Sequence, residues 1–164
     1  MVQKVAQSFE DLADWGDLTA RSGFEFMQDM IAGRLAGPPI GTTLGFGPTQ
    51  VDDGLVIFEG IPEFRATNPM RGLHGGWYGA ILDSCMGCAV MTKVPKGSIY
   101  TTLEYKVNIT RALPLGTKVK AIGTVTHAGR STSVATGEVR GLDDDRLYAT
   151  GSTTCMIMPA PAAR

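Results

Sequence analysis

The longest apolar stretch in the chain runs from residue 75 to 92, GGWYGAILDSCMGCAVMT, where only Asp83 among eighteen positions is charged. Apolar or small residues fall on nearly every side of a helix drawn through it, and a helix of that kind is normally buried. A lipid span is disfavoured, because the apolar run is short, four glycines interrupt it and polar, strand-like sequence surrounds it. The pattern predicts a buried helix of about four turns with one carboxylate halfway along. A buried charge costs several kcal/mol unless it is paired or its pKa moves. Such an acid is therefore a candidate for chemistry.

Upstream, residues 1–21 are polar with scattered apolar positions. A loose helix through Phe9, Leu12 and Trp15 and a mobile stretch remain alternatives there. Ser22 with Glu25 three positions on reads as a capping box opening a short helix. Phe24, Met27, Met30 or Ile31 and Leu35 follow at helical spacing, and Gly33 is a stop. GPPIGT at 37–42 should break any helix. Strands are expected at 43–51, where Pro48 marks an edge or a bulge, and at 55–61, joined by a turn at Asp52-Asp53-Gly54. The loop 62–73 leads to the central helix, and Val94 to Gly97 ends it. Four more strands follow at 98–110, 118–127, 131–140 and 147–158, before a frayed PAPAAR tail. Helix, two strands, buried helix and four strands define an α+β class: an antiparallel sheet with helices on one face. The sheet can cover one side of the apolar helix, so a second protomer is expected on the other.

Composition narrows this little. With 164 residues, 43% hydrophobic and 19% charged, the chain fits one globular domain. A net charge of −1 lacks the basic excess of a general nucleic-acid binder. Cys85, Cys88 and Cys155 fit neither a disulfide framework nor a zinc site and read as buried thiols in a reducing compartment. The N-terminus has no apolar signal core, so a cytoplasmic protein without metal or cofactor is expected.

The candidate chemistry clusters on the central helix. His74, Gly75 and Gly76 lie at its start, where unpaired N–H groups and a partial positive charge gather. Glycine there lets a substrate carbonyl approach the backbone. Gly76, Gly79 or Ala80, Asp83, Gly87 and Val90 make a lane of mostly small residues, which is either room for a substrate or a close packing face. From the helix alone, a structural acid held by Arg, Thr or Asn and a catalytic acid are equal readings of Asp83. His127 reads as exposed, Lys118 and Lys120 as a strand's solvent face, and Trp77, Met86 and Met91 as core or tunnel lining.

The segment NPMRGLHGGWYGAILDSCMG carries N-x(5)-H-G-G-x(6)-D, and TTLEYKVNITRALPLG, GRST and GPPI stand at matching places. In these the chain resembles hotdog-fold acyl-CoA thioesterases, in which an antiparallel sheet wraps one long helix, and above all their phenylacetate-degradation (PaaI-like) branch. The resemblance covers 36–158, leaving 1–35 as an N-terminal helical segment and 159–164 as a tail. It implies that Asp83 is the catalytic carboxylate, as general base or as nucleophile through an anhydride. It also implies that the Gly75 N–H polarises the thioester carbonyl and that Asn68 and His74 are the loop's polar pair. Thr101 or Thr102 would be a hydroxyl contributed by a partner subunit, in a homotetramer built from dimers. Gly76 would adjoin the substrate, and Arg71, Arg111 and Arg130 are candidates for CoA phosphates. Arg71 departs from the family's usual small residue. The implied activity is hydrolysis of a small aromatic or medium-chain acyl-CoA. A hotdog hydratase or dehydratase and a non-enzymatic acyl-CoA binding module are the alternatives.

Overall fold

The computed structural model describes residues 4–160. Six strands form one antiparallel sheet: β1 (Phe46–Asp52), β2 (Leu55–Gly60), β3 (Ser98–Ile109), β4 (Val119–Ala128), β5 (Thr132–Gly141) and β6 (Leu147–Pro159), in the order β1-β2-β4-β5-β6-β3. Four helices accompany them: α1 (Trp15–Thr19), α2 (Gly23–Ile31), α3 (Pro39–Leu44) and α4 (Gly75–Met91). Gly54 turns β1 into β2 at φ +85°. After α4 the chain enters β3 at the far edge of the sheet, so the last four strands pair only among themselves and with β2.

The buried helix is α4, and eleven of its seventeen residues are buried. Three glycines explain how close it lies to the sheet. Gly123, Gly137 and Gly151 stand opposite one another across β4, β5 and β6. A Cβ on Gly123 would sit 2.3 Å from the Cys85 carbonyl oxygen, so helix backbone rests directly on strand backbone there. At Gly137 and Gly151 the space is taken by Leu82 and Met86. The row is a trough across the sheet. Val56, Val119, Ala121, Ala135, Val139 and Ala149 line the core around it.

The N-terminal part departs from its sequence pattern in two places. Phe9 is 88% exposed and Trp15 51%; in place of a loose helix through Phe9, Leu12 and Trp15, one of the two readings there, a 3-10 turn (Phe9–Asp11) and the short α1 form. The GPPIGT segment starts a helix instead of breaking one. Pro39 takes the first turn of α3, where its missing N–H costs nothing, and Gly45 closes α3 at φ +77°, which delays β1 to Phe46. By contrast, Ser22 and Glu25 form the reciprocal capping box at α2. Phe26 and Met27 of α2 pack on Met91, Val94 and Ile157. Pro48 lies on the edge strand β1 beside a bulge. Of the tail, Pro159 belongs to β6 and the Ala160 N–H donates to the Gly97 carbonyl; residues 161–164 lie outside the described residues, as do 1–3 of the N-terminal segment.

Candidate active site

The loop before α4 is built around Asn68. Its Oδ1 accepts from the N–H groups of Met70 (3.0 Å) and Gly72 (3.1 Å), and its backbone pairs with Gly72 and Arg71. His74 then caps the helix: its Nδ1 accepts from the Gly76 N–H at 2.9 Å, so that nitrogen carries no proton. Asn68 and His74 thus fix the helix entrance. Gly76 is engaged by His74, whereas no acceptor is recorded among the described residues for the exposed Gly75 N–H. Gly75 and Gly76 are both exposed.

Gly75 borders an open groove shared by Asn68, Arg71, Tyr78, Ile109 and Arg111. Arg71 adopts φ +64°, a left-handed conformation that favours glycine and costs most side chains about 1–2 kcal/mol. Arg130 is exposed in the β4–β5 turn and does not line this groove.

Asp83 lies two turns further along α4, beside a separate cavity of about 250 Å³ that also reaches Ser84, Cys88, Tyr100 and Thr102. The Thr102 hydroxyl donates to Asp83 Oδ1 at 3.2 Å, while Thr101 faces outward and is exposed. Within the chain, the hydroxyl that meets the acid is that of Thr102. Burial raises the Asp83 carboxyl above its usual range, and the Thr102 bond offsets part of that. Among the described residues Asp83 has no ion-pair partner. Burial also raises the Cys88 thiol, to about 12, so it stays protonated near neutral pH.

The expected lane of small residues is rotated from the open side. Tyr105 closes over Gly79 and Tyr100 over Gly87, so those two glycines serve helix–strand packing. The less buried stripe is Gly76, Ala80, Asp83, Ser84 and Cys88, and its lower part faces the cavity. Trp77 is core, its indole donating to the Leu44 carbonyl at 2.8 Å, and Tyr78 accepts from the Leu113 N–H at 2.9 Å. The far walls of the cavity were not legible as site residues. They come from Val5, Met30, Pro38, Ile40, Phe46 and Phe58, whose only sequence signal was apolar character.

Gly75 and Asp83 are eight residues apart on one straight helix, a rise of about 12 Å at 1.5 Å per residue. One thioester carbonyl cannot touch both within a single chain. The arrangement offers a partly desolvated carboxylate beside an apolar cavity at mid-helix and a backbone donor with two cations at the helix start.

An antiparallel sheet wrapped on one long central helix is a hotdog fold. Residues 71–148 match the thioesterase superfamily model. The match covers Arg71, His74, Gly75, Asp83, Thr102 and Arg111 and begins just after Asn68. Among solved structures, the chain is similar to a phenylacetic acid degradation-related protein of Ralstonia eutropha, at 26% identity and TM-score 0.73 over 80% of this chain and 98% of that one. A conserved protein of Pseudomonas aeruginosa matches at 29% identity and TM-score 0.67 over 73% and 93%. The phenylacetic acid degradation protein PaaI of Thermus thermophilus shares the fold at 23% identity and TM-score 0.66 over 72% and 97%. No curated protein matches the chain.

Proposed function

We propose that the protein is an acyl-CoA thioesterase that hydrolyses a small aromatic or medium-chain acyl-CoA to the free acid and CoA. The observation that carries this reading is Asp83: a half-buried carboxylate without a cation, held by Thr102, on the wall of an apolar cavity. In the general-base route Asp83 takes a proton from water as the water oxygen bonds to the acyl carbon. The oxyanion is held by a Gly75 N–H, the C–S bond then breaks, and the thiolate leaves and takes up a proton. In the nucleophilic route Asp83 itself bonds to the acyl carbon and expels the thiolate, and water opens the resulting anhydride. A single turnover in ¹⁸O-water tests the second route, since label enters the Asp83 carboxylate only when water opens an anhydride at the Asp83 carbonyl carbon.

The spacing along α4 supports a site shared between copies, in which Asp83 and Thr102 of one protomer meet Gly75 of the partner subunit on one carbonyl. β3 supplies a surface for such pairing. Among the described residues its outer side is a twelve-residue sheet edge with Leu103, Tyr105 and Ile109 exposed, whereas the opposite edge strand, β1, carries Pro48 and a bulge. A dimer of dimers fits the reading. Arg71 and Arg111 then stand at the CoA end of the groove and bind phosphate. No described helix is long and apolar enough to cross a membrane. Three free thiols suit a reducing, cytoplasmic setting.

The test is thiol release from short, medium, long and aryl acyl-CoAs by wild type and Asp83→Asn. Release by wild type, lost by at least 10²-fold in the variant, is expected. Turnover retained by Asp83→Asn, or enoyl-CoA hydration without thiol release, would overturn the assignment.

A further inference from the structure

The cavity beside Asp83 is closed by parts of the chain that precede the helix-wrapping sheet. Val5 pairs with Gly37 in a parallel bridge: the Ala6 N–H donates to the Gly37 carbonyl at 3.0 Å and the Gly37 N–H to that of Lys4 at 2.9 Å. This strap and the α2–α3 corner bring Val5, Met30, Pro38 and Ile40 to the wall facing Asp83 and Cys88. The corner is itself tied down, since Asp29 accepts from Arg34 Nε at 2.7 Å and also pairs with Arg21. The wall is thus a braced part of the fold.

Size follows from volume. An apolar cavity of about 150 Å³ accepts benzene, and a water-sized group occupies about 30 Å³. A cavity of about 250 Å³ then holds a phenyl ring with about three further carbons, or a straight chain of roughly eight. Resting on the thioesterase reading, we infer that the strap and corner of residues 4–42 gauge the acyl group, with Met30 and Ile40 as the limiting side chains. Acyl groups of about fourteen carbons or more are rejected at this wall. Met30 is half-buried and Ile40 is 51% exposed, so shortening either leaves the core intact.

The experiment measures binding of non-hydrolysable S-alkyl-CoA thioethers from four to sixteen carbons, with S-(2-phenylethyl)-CoA, by titration calorimetry. Thiol release from the corresponding acyl-CoAs is measured in parallel on wild type, Met30→Ala, Ile40→Ala and the double variant. Wild-type affinity should peak near eight carbons or the phenyl analogue and fall at least tenfold by fourteen. The double variant should move that cut-off outward by two carbons or more. Equal wild-type affinity for eight- and sixteen-carbon thioethers, or an unmoved cut-off in the double variant, overturns the gauge. A moved cut-off in binding with no thiol release upholds the gauge and sinks the hydrolytic reading. Thiol release without length discrimination does the reverse.

Discussion

Gly123→Ala tests the contact on which the position of the acid depends. In an ordinary strand, replacing glycine by alanine stabilises by about 0.5–1 kcal/mol. Here the new Cβ would lie 2.3 Å from the Cys85 carbonyl oxygen and 2.8 Å from the Met86 nitrogen. These are backbone atoms of α4, and no rotamer change relieves them. Reaching ordinary van der Waals separation of about 3.4 Å requires α4 to lift by about 1 Å. Overpacking of this kind costs about 1–3 kcal/mol, enough to reverse the usual sign, and each kcal/mol lowers Tm by about 2–4 °C at this chain length. Asp83 lies two residues from Cys85, and its bond to Thr102 is already 3.2 Å, so the same lift breaks it. A misplacement of 1 Å can cost about 10²-fold in rate. Gly137→Ala is the control, because its Cβ would meet Leu82 Cδ2 and Met86 Cγ at 2.9 Å, side-chain atoms that can move. Urea unfolding and thiol-release kinetics on both variants give the answer. If Gly123→Ala unfolds at or above the wild-type midpoint, or costs no more than Gly137→Ala, then α4 does not rest on the glycine trough as argued.

Two further outcomes concern the acid. Its carboxyl is raised by burial, so the folded state favours the protonated form. Stability is fully retained below the ordinary carboxylate pKa and declines as pH rises through the higher folded value. Asp83→Asn should therefore melt at or above wild type at neutral pH, with the difference vanishing at low pH, and differential scanning calorimetry across pH 3–8 checks it. An advantage confined to low pH would contradict the sign. Thr102→Val removes a donor to the charged carboxylate, a bond of about 1.5–3 kcal/mol, and should lower kcat by about 10–100-fold. It should also move the acid limb of the pH–rate profile upward, since that bond lowers the Asp83 pKa. The exposed Thr101→Val should change neither, and equal losses in both variants would remove Thr102 from the site.

Much of this molecule is determined by the sequence alone. The apolar run around Asp83 requires a buried helix. The capping box at Ser22 and Glu25 places the start of α2, and the alternating stretches from Ser98 to Met158 lie within a residue or two of the observed strands. Those features depend on local periodicity and capping, which a chain carries in its residue order. Tertiary structure decided the rest. The lane Gly79–Gly87 reads as room for a substrate or as a packing face, because helical spacing shows which residues are small and not what stands over them; Tyr100 and Tyr105 on β3 fill it. Thr101 and Thr102 were equivalent until the strand register turned one toward Asp83. The row of Gly123, Gly137 and Gly151 acquires its purpose only when three strands align. The cavity wall from Val5, Met30 and Ile40 joins segments up to 78 residues from the acid, held by one backbone bridge and an ion-paired corner. Long-range packing of this kind leaves no period in the sequence, because its partners are chosen by the folded surface.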